Sequence, residues 1–213
     1  MIVLNVSDED GRLLVTTARN AIEDYVRDYK RIKPSKDLSE KFYEKCGVFV
    51  TINKCEHGEK NLRGCIGYPY PDKPLIEAII DSGIAAAVED PRFEPLPVDE
   101  LDEILIEVSV LTPSELIAVK SPREYPSKVK VGEDGLIFKC VWGSGLLLPQ
   151  VPVEYNWDAE EFLSHTCMKA GASPDSWLLP NVKIYKFSCI IAMELEPRGR
   201  VVVVRPRDLM KHK

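Results

Sequence analysis

The chain has 213 residues, of which 45% are hydrophobic and 29% are charged, and it carries a formal net charge of −6. This composition is that of a globular protein with a sizeable core, and the acidic balance disfavours nucleic-acid binding. The amino terminus shows no basic leader and no apolar run approaches the ~18 residues that span a bilayer, which predicts a cytoplasmic protein without a membrane segment.

The first half of the chain predicts two helices around a strand hairpin. Ser7 and Asp10 have the spacing of a capping box, and Pro74 suits the first turn of a helix that ends at Asp90. In chain order, the predicted elements are an amphipathic helix over 8–30, strands over 47–54 and 61–67, a helix over 74–90 and a strand over 104–111.

The second half predicts a small hairpin array, a third helix and a final strand pair. Asp158 and Glu161 repeat the capping-box spacing, and Gly171 stops the helix that they begin. The predicted strands are Val129–Val131, Leu136–Val141, Leu146–Leu148, and two more over 183–195 and 200–205.

This order of elements predicts an α+β fold rather than a parallel sheet. We expect the two final strands to return to the first sheet, so that residues 1–112 and 181–213 form a large lobe. Residues 113–180 would then be an inserted small lobe. A cleft between two such lobes is a common place for a ligand.

The segment Leu62–Gly67 is the most informative part of the sequence, because it places a thiol between two glycines and near an arginine. Strand alternation predicts that Leu62, Gly64 and Ile66 face the core, while Arg63, Cys65 and Gly67 face the other way. Close glycines let a ligand or a second chain approach the backbone, which favours a binding site.

A thiol beside a cation can have a lowered pKa, so Cys65 is a candidate nucleophile and Arg63 its activator. The strand over 104–111 would add Glu107 to the same face, where it could pair with Arg63. His165 or Glu107 is the candidate base. Free cysteine is also a common small buried hydrophobe, so a structural role for Cys65 stays open, as does a solvated helix face for His165.

Two further charged residues flank a proline just after the second predicted helix. Asp90 and Arg92 either support the binding site or form a capping and salt-bridge pair. No metal site is expected, since a strand separates Cys46 from Cys55 by roughly 30 Å and no C-x-x-C pair occurs. No cofactor motif is present.

The whole chain resembles the AMMECR1 domain family. The hexapeptide Leu62–Gly67 carries the resemblance, and further matching segments follow it in order: Asp90-Pro91-Arg92-Phe93, Glu107-Val108-Ser109-Val110-Leu111-Thr112, Leu148-Pro149-Gln150-Val151 and Lys169-Ala170-Gly171. The resemblance implies two lobes, each an antiparallel sheet with flanking helices, the larger holding both termini, and a hexapeptide that faces the cleft. It also implies an association with Memo-like and radical-SAM proteins, and it defines no reaction.

Together these observations predict a cytoplasmic protein that engages a protein, a peptide or another large substrate. The expected binding residues are Leu62, Arg63, Gly64, Ile66, Gly67, Asp90 and Arg92. The expected catalytic residues are Cys65, His165 and Glu107. The alternative is a non-catalytic binding or adaptor module in which the thiol is incidental, and nucleic-acid binding is a third, less favoured hypothesis.

Overall fold

The computed structural model describes residues 6–56, 59–141 and 143–212. It contains five α-helices within those ranges: α1 Asp8–Asp28, α2 Leu75–Val88, α3 Tyr125–Lys128, α4 Gln150–Glu154 and α5 Ala159–Lys169. The strands in those ranges are β1 Gly47–Glu56, β2 Glu59–Tyr68, β3 Ile104–Leu111, β4 Glu115–Leu116, β5 Gly135–Cys140, β6 Gly143–Leu147, β7 Lys183–Phe187, β8 Cys189–Glu194 and β9 Val201–Val204. The predicted α+β class is confirmed.

The strands form two antiparallel sheets, one with the order β2-β1-β3-β8-β9 and the other with the order β4-β7-β5-β6. The chain divides into two compact units that each contain one sheet. The first unit runs to Leu111 and resumes over Ile190–Val204, and the second comprises Thr112–Cys189 and the segment from Arg205. The predicted cleft stays a prediction.

In the first unit, α1 and α2 pack on one face of the five-stranded sheet. Their apolar side chains meet alternate residues of the central strands, among them Val50 and Ile106, in a buried core. Both α1 and α5 begin at the predicted capping boxes, with Ser7 and Asp158 as N-caps. The helix starts could be predicted because a cap depends only on residues three positions apart.

One ion pair lies inside this core. Arg19 on α1 and Glu194 on β8 are 6% and 4% exposed, and the Arg19 Nε donates to Glu194 at 2.8 Å. Arg19 also donates to the carbonyl oxygen of Ile104 at 2.8 Å, and Glu194 accepts the Ile106 N–H at 2.9 Å. The pair therefore links α1, β3 and β8 through hydrogen-bonded buried charges.

Two local predictions were wrong. Val129–Val131 is not a strand, because the Asp134 carboxylate accepts the Lys130 N–H at 2.8 Å and closes a turn there. The single strand predicted over 183–195 is split at Ser188, whose N–H donates to the Thr112 hydroxyl at 2.8 Å. Its first half, β7, therefore belongs to the four-stranded sheet rather than to the sheet of the predicted large lobe.

Candidate functional site

The predicted site segment lies on β2, which is one of the two edge strands of the five-stranded sheet. The β1–β2 register passes from Ile52 opposite Gly64 to Asn53 opposite Leu62, so Arg63 is the extra residue of a β-bulge. The bulge interrupts the alternation on which the sequence prediction relied. Leu62, which was expected in the core, is 43% exposed, whereas Gly64 is buried.

Both glycines of the segment sit where a side chain would not fit. A Cβ added at Gly64 would lie 2.0 Å from the Ala86 carbonyl oxygen on α2. A Cβ added at Gly67 would lie 2.3 Å from the Val48 carbonyl oxygen and 2.5 Å from the Phe49 ring. The glycines therefore allow the close packing of β2 against its neighbours.

Cys65 belongs to a row of three polar side chains that crosses the sheet. Thr51 on β1 is the register partner of both Cys65 on β2 and Glu107 on β3. The Thr51 hydroxyl donates to the Cys65 sulfur at 3.3 Å, and the Ser109 hydroxyl donates to Glu107 at 3.3 Å. Cys65 and Glu107 thus lie on one face of the sheet as expected, and the row includes Thr51, which sequence reasoning missed.

The environment of Cys65 favours the protonated thiol. Burial raises its pKa, and the nearby carboxylates of Glu107 and Asp90 act in the same direction. The Thr51 hydrogen bond and the Arg92 guanidinium oppose them, but the net shift is upward from the ordinary value of 9.0. The free protein therefore holds a neutral thiol at pH 7.

Arg63 does not activate this thiol. Its Nε donates to Glu100 at 2.8 Å and its Nη1 donates to the Glu94 carbonyl oxygen at 2.8 Å. The expected pair with Glu107 is replaced by these contacts, because the bulge turns Arg63 toward the loop after α2. Arg63 thereby fastens this loop to the edge of β2.

Asp90 holds the same loop to Cys65 itself. Its Oδ2 accepts the Cys65 backbone N–H at 2.8 Å and the Arg92 Nη2 at 2.7 Å, while its Oδ1 accepts the Arg92 Nε at 2.9 Å. The Arg92 hydrogen bonds lower the pKa of Asp90 to about 2, against the opposing effect of burial. The Arg92 side chain remains 49% exposed. Of the two alternatives for this pair, the salt bridge is present, and it supports the segment.

The stability of the protein should depend on pH through Asp90. Because its pKa is lowered from 3.8 to about 2, its contribution is complete above pH 3.8 and is lost as the pH falls through 2. The shift corresponds to about 2 kcal/mol. We expect Asp90→Asn to lower the free energy of urea unfolding by about this amount at pH 6, and the loss to shrink by about two-thirds at pH 2.5.

The matched control for this prediction is Asp99→Asn, which changes an exposed aspartate in the segment that follows. It should alter the free energy of unfolding by less than ~0.5 kcal/mol at both pH values. Equal losses for Asp90→Asn at pH 6 and pH 2.5 would show that the carboxylate charge is not what stabilises the loop.

His165 lies in the other compact unit, on α5. Its ring stacks on Trp157 with 3.8 Å between centroids and 3° between planes. Its pairing with Cys65 as a catalytic base stays a prediction.

Among the described residues, no group of three or more His, Cys, Asp or Glu side chains is arranged to hold a metal ion. No helix in the described part of the chain has both the length and the apolar character to cross a bilayer.

Comparison with known proteins identifies close relatives. The AMMECR1 family profile matches residues 15–192. A protein of Thermococcus gammatolerans is 54% identical over 197 residues, and the match covers 92% of this chain and 96% of the relative. Protein MJ0810 of Methanocaldococcus jannaschii is 51% identical over 194 residues, and the match covers 91% of this chain and 94% of the relative. The crystal structure of protein PH0010 from Pyrococcus horikoshii matches with a TM-score of 0.90 at 50% identity, covering 94% of this chain and 98% of that one.

Proposed function

The chain belongs to the AMMECR1 family, and on that premise we propose that it is a binding protein whose Leu62–Gly67 segment engages a protein or peptide-like partner. The Memo-like and radical-SAM proteins that accompany the family are candidate partners. In this proposal the Cys65 thiol is a neutral contact group, and the reaction chemistry belongs to the partner.

The observation that carries the proposal is the environment of Cys65. Burial and two carboxylates hold the thiol in its protonated form, while its backbone N–H is fastened by Asp90. A nucleophilic cysteine needs the opposite environment, one that stabilises the thiolate. A rigid strand with a neutral thiol is suited to recognition.

The side chains beside Cys65 support contact with a partner. Leu62 on β2 offers an exposed apolar surface, and Arg92 in the loop after α2 offers a half-exposed guanidinium. Two loop contacts fix the position of β2. Arginine and apolar anchors on a rigid support are typical of protein interfaces. The expected binding set therefore centres on Leu62, Cys65 and Arg92.

A second candidate is nucleophilic catalysis by Cys65 with Glu107 as base. The row Cys65–Thr51–Glu107 favours it, because the carboxylate lies close enough to the sulfur to affect the pKa of the thiol. As the base, Glu107 would accept the thiol proton and become neutral, which removes the charge that disfavours the thiolate. His165, the other expected base, would have to act from the second unit.

Alkylation of Cys65 by iodoacetamide separates the two candidates. The alkylation rate at Cys65 is followed by peptide mass spectrometry from pH 6 to pH 10.5. We expect this rate to rise with pH and to reach half its maximum above pH 9.0, which is the ordinary thiol pKa. Glu107→Gln should shift the midpoint downward, because it removes a negative charge that disfavours the thiolate.

Cys65→Ser serves as the blank for the other five cysteines. A wild-type midpoint below ~7.5 would overturn the binding-protein proposal in favour of an activated nucleophile. A midpoint unaffected by Glu107→Gln would exclude that carboxylate as the base.

A further inference from the structure

Three aromatic rings form a stack in the second unit. Trp157 lies parallel to His165 at 3.8 Å and to Tyr155 at 5.0 Å, with interplanar angles of 3° and 17°. The stack is a second surface feature, on a different unit from the Cys65 site.

The stack is held in place by local structure. The Trp157 backbone N–H donates to the Pro152 carbonyl oxygen at 2.8 Å, and the Trp157 side chain packs against the buried core beneath α5. The next residue, Asp158, caps α5 by accepting the Glu160 and Glu161 N–H groups, both at 2.9 Å. The Trp157 and His165 rings therefore have little freedom to move, and Trp157 orients the Tyr155 ring that stacks on it.

Tyr155 is the exposed end of the stack. It is 66% exposed although its ring contacts Trp157. A ring that is held parallel to two others and open to solvent is suited to a planar group stacked on its free face. Shape alone would allow a nucleobase, a further aromatic ring or a guanidinium.

The charge of the chain segment that carries Tyr155 and Trp157 selects among these groups. Residues 154–161 include four exposed acidic residues and no lysine or arginine, and the basic Lys169 lies one turn beyond His165 on α5; the acidic residues are Glu154, Asp158, Glu160 and Glu161. Such a surface repels the phosphates of nucleotides and attracts cations. A planar cation satisfies both the stacking geometry and the charge, and among side chains only arginine is both planar and permanently charged.

We propose that the stack of Tyr155, Trp157 and His165 is a docking surface for an arginine side chain of a protein or peptide partner. The guanidinium lies flat on the free face of Tyr155 and the acidic segment 154–161 supplies the electrostatic attraction. This site is independent of the Cys65 site, so either proposal can fail without the other.

The test is an NMR titration of the full chain with capped tripeptides, following the Trp157 indole N–H, which is assigned with Trp157→Phe. We expect acetyl-Gly-Arg-Gly-amide to bind roughly three- to fivefold more tightly than the lysine equivalent, the size of a solvent-exposed cation–π difference, and AMP to bind most weakly. Binding of the arginine peptide should weaken as salt is added.

Variants identify the ring responsible. Tyr155→Leu should weaken arginine binding at least threefold, about the loss expected for an exposed cation–π contact, whereas Tyr155→Phe should retain it. The matched control is Tyr29→Leu, since Tyr29 is an 82% exposed tyrosine on the other unit that also contacts a neighbouring ring.

Three results would each overturn the proposal. The first is tighter binding of AMP than of the arginine peptide, and the second is equal binding of the arginine peptide by wild type and Tyr155→Leu. The third is no shift of the Trp157 signal up to about 20 mM peptide, because an affinity below that limit is too weak for a useful contact.

Discussion

Replacing Gly64 by alanine is expected to destabilise the protein by at least ~3 kcal/mol, because overpacking against backbone cannot be relieved by a side-chain rotation. The new Cβ would lie 2.0 Å from the Ala86 carbonyl oxygen and 3.1 Å from the Ala86 carbonyl carbon. Relief requires α2 to move away from β2, which would open the core between them and displace the segment that carries Cys65.

Chemical denaturation measures this loss, and two substitutions control for it. Leu62→Ala changes an exposed residue of the same strand and should cost less than ~1 kcal/mol. Gly143→Ala makes the same chemical change where the nearest atom is 3.2 Å away, and should also cost less than ~1 kcal/mol. A loss below ~1 kcal/mol for Gly64→Ala itself would mean that α2 and β2 are not packed in contact.

Replacing Arg19 by methionine is expected to lower the free energy of unfolding by roughly 3–5 kcal/mol, the usual effect of removing one member of a buried ion pair. The substitution leaves the Glu194 carboxylate, which is 4% exposed, with the Ile106 N–H and without its guanidinium partner. The loss reflects the uncompensated charge rather than the intrinsic strength of the pair.

The double variant Arg19→Met/Glu194→Leu provides the critical comparison. Because it removes both charges and keeps apolar volume, it should recover most of the stability that Arg19→Met loses. Arg207→Met, which breaks an exposed pair with Glu133 away from this network, should cost less than ~1 kcal/mol. A double variant no more stable than Arg19→Met would contradict the uncompensated-charge explanation.

The parts of the fold that could be predicted depend on neighbouring residues. The capping boxes at Ser7 and Asp158 are present as expected, as are the hairpin around 47–67 and the strand that begins at Ile104. Each follows from spacing within one element. The family assignment is also confirmed, because it rests on short motifs that are read directly from the sequence.

The missed features depend on residues far apart in the chain. Arg19 occupies a buried position of α1 only because Glu194, 175 residues later, neutralises it there. The strand break at Ser188 depends on Thr112, 76 residues away. Sequence spacing carries no information about such distant partners. For the Arg19–Glu194 pair, the only local sign was a charged residue within the apolar stripe of α1.

For the site, the chain sequence was enough to identify the candidate residues: the hexapeptide with Cys65, the Asp90–Arg92 pair and Glu107. It predicted a lowered thiol pKa because Arg63 is two residues from Cys65. The direction in which the pKa of Cys65 shifts follows instead from the folded structure. A bulge turns Arg63 toward Glu100, while folding partly buries Cys65 and brings the carboxylates of Glu107 and Asp90 close to it. A pKa follows from burial and from charges near in space, and the chain order specifies neither.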